Sequence, residues 1–143
     1  MTTRAEVVAQ ARTWLEPMTP YVHQGRKKYV GVDCIGLPIC VAKELGLVEE
    51  NFDINGYTRD PDGQLLILAR QHMTEIPLGA MLPGHVIVLS MQSDPRHFGI
   101  LGDYRHGGLS IIHAYGDKVI ETRLMMTTAM DYVAAFNLPG VDV

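Results

Sequence analysis

The texture of this sequence changes once, at Pro83-Gly84, and that change limits the folds open to it. Before it, apolar residues recur at helical spacing; after it, short β-rich runs alternate with turn residues. Val7, Val8, Ala11, Trp14 and Leu15 form one stripe of a helix expected over residues 3–15, with Thr3 and Glu6 at capping-box spacing and Pro17 and Pro20 ending it. Residues 21–32 read as a polar loop. Asp33 is a good N-cap for a second helix that runs through Cys34, Leu37, Val41, Ala42 and Leu45 and stops at Gly46. Pro38 falls in its second turn, so a kink or an irregular first turn is expected there. Residues 49–62 read as loop, and a third helix is expected over 63–73, with Leu65, Leu66, Leu68 and Ala69 on its apolar side. Five strands are expected at 85–91, 97–101, 109–115, 118–122 and 132–137. Helices first and antiparallel strands second is the α+β pattern.

The chain of 143 residues is expected to be a single domain over 1–143, long enough to bury a core without staples. Its net charge of -4 offers no basic face for nucleic acid. The N-terminus carries mixed charge and lacks the apolar core of a secretion signal, and no run approaches the length of a membrane span. We therefore expect synthesis in a cytoplasm, no membrane span and no nucleic-acid partner. The two cysteines, Cys34 and Cys40, are too few to frame a fold with disulfides. On one helix they would point about 240° apart around the axis. At least one thiol is available for chemistry.

Cys34 lies in Gly31-Val32-Asp33-Cys34-Ile35-Gly36-Leu37, at the expected first turn of a helix. Unpaired N–H groups and the helix dipole there favour a thiolate, and the same N–H groups can serve an oxyanion. Gly36 would leave room beside the sulfur. A nucleophilic cysteine needs a base, and the base needs an orienting group. His97, in His97-Phe98-Gly99-Ile100, and His113, in Ile112-His113-Ala114, stand on successive expected strands and could be neighbours. A lone buried cysteine is more often a small hydrophobe, and a strand histidine more often structural.

The order Tyr21–loop–Asp33-Cys34-Ile35-Gly36-Leu37–helices, then Pro83-Gly84, then His97-Phe98-Gly99-Ile100, then Ile112-His113-Ala114, resembles the NlpC/P60 family of papain-like cell-wall peptidases. The likeness runs from Val7 to Gly140. It implies N-terminal helices packed on a small antiparallel sheet, with Cys34 as nucleophile, His97 as general base and His113 orienting the imidazole. It implies that the Tyr21 hydroxyl, with Asp33 and Gly36 at the helix start, serves the oxyanion or the substrate. The implied substrate is the stem peptide of peptidoglycan, with no cofactor and no metal. Ile35 stands where the family often has Ser, His85 where Asp is common, and Pro38 where an ordinary helix former is usual.

Three stretches resemble the compact phage-tail and gene-transfer-agent members: Tyr21-Val22-His23-Gln24-Gly25-Arg26, Asp60-Pro61-Asp62-Gly63, and Val133-Ala134-Ala135-Phe136-Asn137-Leu138-Pro139-Gly140. That resemblance implies a virion setting at the tail tip, tail hub proteins as partners, and action in the host cell wall during DNA entry. Two alternatives stay open: a structural hub subunit with the same fold, and a papain-like amidase or acyltransferase. Cys34, His97 and His113 could also ligate zinc, though no further ligand spacing accompanies them. His23, His72 and His106 are expected to be solvated, His106 in a glycine-rich turn. The Met residues at 81, 91, 125, 126 and 130 read as core filler, and Arg26-Lys27-Lys28 as a solvated loop.

Overall fold

A computed structural model describes residues 1–57, 63–91, 94–125 and 130–142. The expected helix start at 60–62 and Met126 lie outside them. The α+β architecture holds. Helix α1 (Arg4–Arg12) begins with the capping box: the Thr3 hydroxyl accepts from the Glu6 amide at 3.2 Å, and the Thr3 amide donates to the Glu6 carboxylate at 3.1 Å. It ends sooner than the apolar stripe suggests. Trp14 and Leu15 donate three residues back, to Ala11 and Arg12, in the tighter turns that lead toward Pro17. Trp14 still reaches the core, and its indole N–H donates to Glu44 at 2.7 Å.

Two elements fall inside the stretch expected to be loop. Strands β1 (Arg26–Lys27) and β2 (Gly31–Val32) pair as a small antiparallel ribbon. Two residues per strand are too few to display an alternation. The ribbon delivers the chain directly into helix α2 (Gly36–Glu44). The Asp33 carbonyl accepts from the Leu37 amide at 3.1 Å and its side chain accepts from Gly36 at 2.8 Å, so Asp33 caps the helix as expected. Cys34 and Ile35 form an irregular first turn ahead of Pro38. At the far end Gly46 takes a positive φ of 71°, while Gly46 and Leu47 donate back to Lys43 and Ala42. Every residue from Gly36 to Ala42 is buried, so α2 is the central helix of the molecule.

Helix α3 (Gln64–His72) follows, then β3 (Thr74–Ile76), a short turn at Leu78–Ala80, and β4 (Val86–Met91), β5 (Asp94–Asp103), β6 (Leu109–Tyr115), β7 (Lys118–Arg123) and β8 (Met130–Asn137). The described strands form an antiparallel sheet in the order β3-β8-β4-β5-β6-β7. β3 escapes sequence reading because it is three residues on an edge. The side chains of Val86, Val88, Phe98, Ile100, Ile112, Ala114 and Phe136 join the helices in the main core. Their alternates Ile87, Leu89, Leu101, Ile111 and Ala135 form a second, smaller core on the other face. Met81 packs against it.

Candidate active site

The site is built where the start of α2 meets β5 and β6. Cys34 is in the main core, 8% exposed. The backbone of Phe98 hydrogen-bonds its sulfur, as does the backbone of Cys34 itself. This puts Cys34 against the residue that follows His97. Phe98 faces the helices, so strand alternation places His97 and Gly99 on the opposite face with Leu101. His113 stands on that same face with Ile111. The two imidazoles meet there, His97 Nε2 to His113 Nδ1 at 2.6 Å, and both are buried. Gly99 makes the approach possible. A Cβ on it would lie 2.5 Å from the Ile111 side chain and 3.3 Å from the His113 Cβ. Tyr115 completes a ring cluster, stacked on His113 at 5.2 Å and edge-on to His97 at 5.5 Å.

Desolvation decides the resting charge of these groups. Burial pushes the Cys34 thiol up to about 12, with the Phe98 backbone pulling the other way; Asp33 adds to the rise and Arg26 opposes it. Burial holds both imidazoles well below the usual histidine range, and His113 lowers His97 further. The resting thiol and imidazoles are therefore neutral. The helix position led us to expect a stabilised thiolate. One turn of helix dipole is worth about 1 kcal/mol, while each pKa unit is worth about 1.4 kcal/mol, so burial outweighs it.

Asp33 is occupied from within the chain. Its carboxylate accepts from the Gln24 amide at 2.7 Å, the Tyr57 hydroxyl at 2.6 Å, the Gly36 amide at 2.8 Å and the Arg26 guanidinium at 3.1 Å. Those four bonds fill the acceptor directions of a carboxylate, so Asp33 fixes the start of α2. His23 lies 4.0 Å from the same carboxylate and edge-on to Tyr57. Gly36 does not open space beside the sulfur. A Cβ there would meet Arg26 at 2.7 Å, the Gly25 carbonyl at 2.7 Å and Val32 at 2.8 Å, so the absent side chain makes room for Arg26. Tyr21 runs alongside Val32, two residues before Cys34, and its amide donates to the Asp117 carbonyl at 2.8 Å.

Sequence reading missed two members of this arrangement. Arg26, taken there for a solvated loop residue, has a side chain only 15% exposed. It bonds Asp33, Asp53, the Ile54 carbonyl and the Tyr57 hydroxyl. Lys28 is also held, at 3.0 Å from Glu44 and over the Trp14 ring. Tyr57 comes from the loop after α2, and no motif flags it. His106 stays in its exposed turn beside the Tyr104 ring, and His72 packs edge-on to Phe52. Ile35, Leu65, Ala69, Phe98 and Leu138 line a small apolar cleft beside the helix start. Among the described residues no group of three or more His, Cys, Asp or Glu is placed to hold a metal ion, and no helix is long and apolar enough to cross a membrane.

No protein-family model matches the chain, and no curated protein matches it. Among solved structures, the NlpC/p60 domain of the peptidoglycan hydrolase SagA superposes with a TM-score of 0.65 at 23% identity, covering 96% of this chain and 100% of that one. The likeness is one of fold.

Proposed function

Starting from the NlpC/p60 fold, we propose that this chain is a cysteine peptidase that cleaves peptidoglycan stem peptides, with Cys34 as nucleophile, His97 as general base and His113 as the group that orients it. One observation carries the reading: a buried imidazole pair, 2.6 Å apart, whose His97 directly precedes Phe98, the residue whose backbone bonds the cysteine sulfur. His97 spends Nε2 on His113, which leaves Nδ1 to take a proton. The SagA domain, described as part of a peptidoglycan hydrolase, supports the substrate class.

The steps follow from the neutral resting state. The scheme requires the His97 ring to come round the edge of β5 to the sulfur as a peptide carbonyl enters; the thiol proton then passes to His97 Nδ1 as sulfur attacks the carbonyl carbon. The tetrahedral oxyanion collects hydrogen bonds from the first turn of α2, and the resemblance assigns the Tyr21 hydroxyl to the same position. Collapse expels the amine, which takes the proton from His97 and leaves a thioester on Cys34. Water, deprotonated by His97, then attacks the thioester. The free acid departs, and sulfur recovers its proton. Asp33 and Gly36 do not touch substrate in this scheme; they hold the helix start on Arg26.

The likeness of 21–26 and 133–140 to tail-borne members supports a virion setting, with tail hub proteins as partners and the host wall as the place of action. The test is digestion of purified muropeptides followed by mass spectrometry. Wild type is expected to cut within the stem, and Cys34→Ala to lose turnover by about 10⁴-fold or more while keeping its fold. Turnover retained by the alanine variant would exclude Cys34 as nucleophile. A wild type inert on all muropeptides, yet present in purified particles, would favour the structural hub.

A further inference from the structure

Behind the imidazole pair, on the sheet face away from the helices, runs a groove open along one side to solvent. Leu89, Ile111, Ile120 and Leu124 line it together with Tyr115, Thr122, Arg123 and His113. His113 is 4% exposed, and its Nε2 has no hydrogen-bond partner among the described residues. Buried polar atoms are satisfied in nearly every folded protein, so an orphan lining a groove calls for an explanation.

The protons along the pair specify what kind of atom the orphan wants. If His97 is to accept a proton at Nδ1, its own proton must sit on Nε2. That Nε2–H then donates to His113 Nδ1, the only direction left for the 2.6 Å bond. A neutral His113 accepting at Nδ1 carries its proton on Nε2. The orphan is therefore a buried N–H donor lining a mostly apolar groove, with no acceptor of its own among the described residues.

We propose that this groove is a substrate subsite that binds a small aliphatic residue with its carbonyl or carboxylate oxygen accepting from His113 Nε2–H. The donor assignment rests on His97 acting as base. The aliphatic part of the lining selects a short aliphatic side chain, and the buried donor, with the exposed Arg123 also lining the groove, selects an oxygen acceptor beside it. Occupancy also finishes the proton arrangement of the pair: an acceptor at Nε2 holds that tautomer and keeps His97 Nδ1 free for the thiol. Substrate arrival and readiness of the base are thereby linked through one imidazole.

The test is a nitrogen-15 NMR titration of histidine-labelled Cys34→Ala protein, in which no turnover interferes. Two probes separate the sources of the acceptor: N-acetylalanine supplies a carboxylate, and its N-methylamide supplies only neutral carbonyls. His113 is expected to be protonated at Nε2 in the free protein, and that proton should move downfield and exchange more slowly as one probe or both are added. Ile120→Trp fills the groove and should weaken the response at least tenfold. Met125→Trp, at an exposed rim position, gives a second obstruction that does not risk the core. A His113 found protonated at Nδ1, no shift at His113 with either probe, or a response unchanged in both Trp variants would each overturn the subsite. Muropeptide cleavage by wild type alongside a silent His113 would sink the subsite and leave the peptidase reading intact. A responsive His113 with an inert wild type would do the reverse.

Discussion

Asp33 and His113 lie on opposite sides of Cys34, and they meet their polar needs in opposite ways. Asp33 is 1% exposed and its charge is fully answered, by four hydrogen bonds that include a guanidinium. His113 is nearly as buried and has one ring nitrogen without an acceptor among the described residues. A saturated buried charge makes a rigid anchor, because any displacement breaks several bonds at once. An unsatisfied buried donor costs about 1–3 kcal/mol, a cost that a bound group can remove. The helix side of the site is thus built to stay still, and the sheet side is left with something to bind.

The largest expected effect comes from attacking the anchor. Asp33→Ala leaves the Arg26 guanidinium with Asp53 as its one remaining carboxylate and takes the acceptor from the Tyr57 hydroxyl and the Gln24 and Gly36 amides, and breaking a buried pair from one side costs about 3–5 kcal/mol. Denaturant unfolding should show a loss of that size; a loss below about 1 kcal/mol would mean that Asp33 is not the anchor. Gly36→Ala comes next. Its Cβ would press on Arg26, the Gly25 carbonyl and Val32, two of those contacts with little freedom to move. Overpacking of this kind costs about 1–3 kcal/mol, and a variant as stable as wild type would show that the space beside Arg26 is not tight.

The sheet side should instead reveal itself through pH. Both imidazoles titrate below the ordinary histidine range because burial disfavours their charged forms. The unfolded chain therefore binds protons that the folded one refuses once the pH falls below about 6.5. Stability is full above that value and is lost progressively as pH falls toward the depressed folded values. His113→Gln should flatten the fall of the melting temperature between pH 6.5 and 4.5, whereas Tyr57→Phe, on the anchored side, should leave its slope unchanged. Equal slopes in wild type and His113→Gln would remove the argument. The smallest effect, on rate and not on stability, concerns the thiol. With burial raising Cys34 to about 12, its alkylation without substrate should climb with pH through 9. A plateau reached near neutral pH would show a preformed thiolate–imidazolium pair and contradict the neutral resting state.

Much of this could be read in the chain because it rests on neighbours in sequence. Thr3 with Glu6 specifies a capping box, Asp33 a cap, and Gly46 a positive-φ stop; the order of Asp33-Cys34, His97 and Ile112-His113-Ala114 points to one family of folds. Alternating residues after Pro83-Gly84 locate strands to within a few positions, since period-two burial depends only on facing a core. The elements that escaped were too short to carry a period, the ribbon of β1 and β2 and the edge strand β3.

What the sequence determined by itself was the set of local elements and the identity of the reactive residue types. Only the tertiary structure decided their state. It folded Arg26 inward from a stretch that reads as solvated, brought Tyr57 from a distant loop onto Asp33, and turned Gly36 from an opening for substrate into a seat for a guanidinium. It raised the thiol of a cysteine whose place on a helix would lower it, and it left one imidazole nitrogen without an acceptor. The physical reason is the same in each case. Desolvation and the pairing of buried charges depend on what surrounds a group in space, and those surroundings come from residues far apart along the chain.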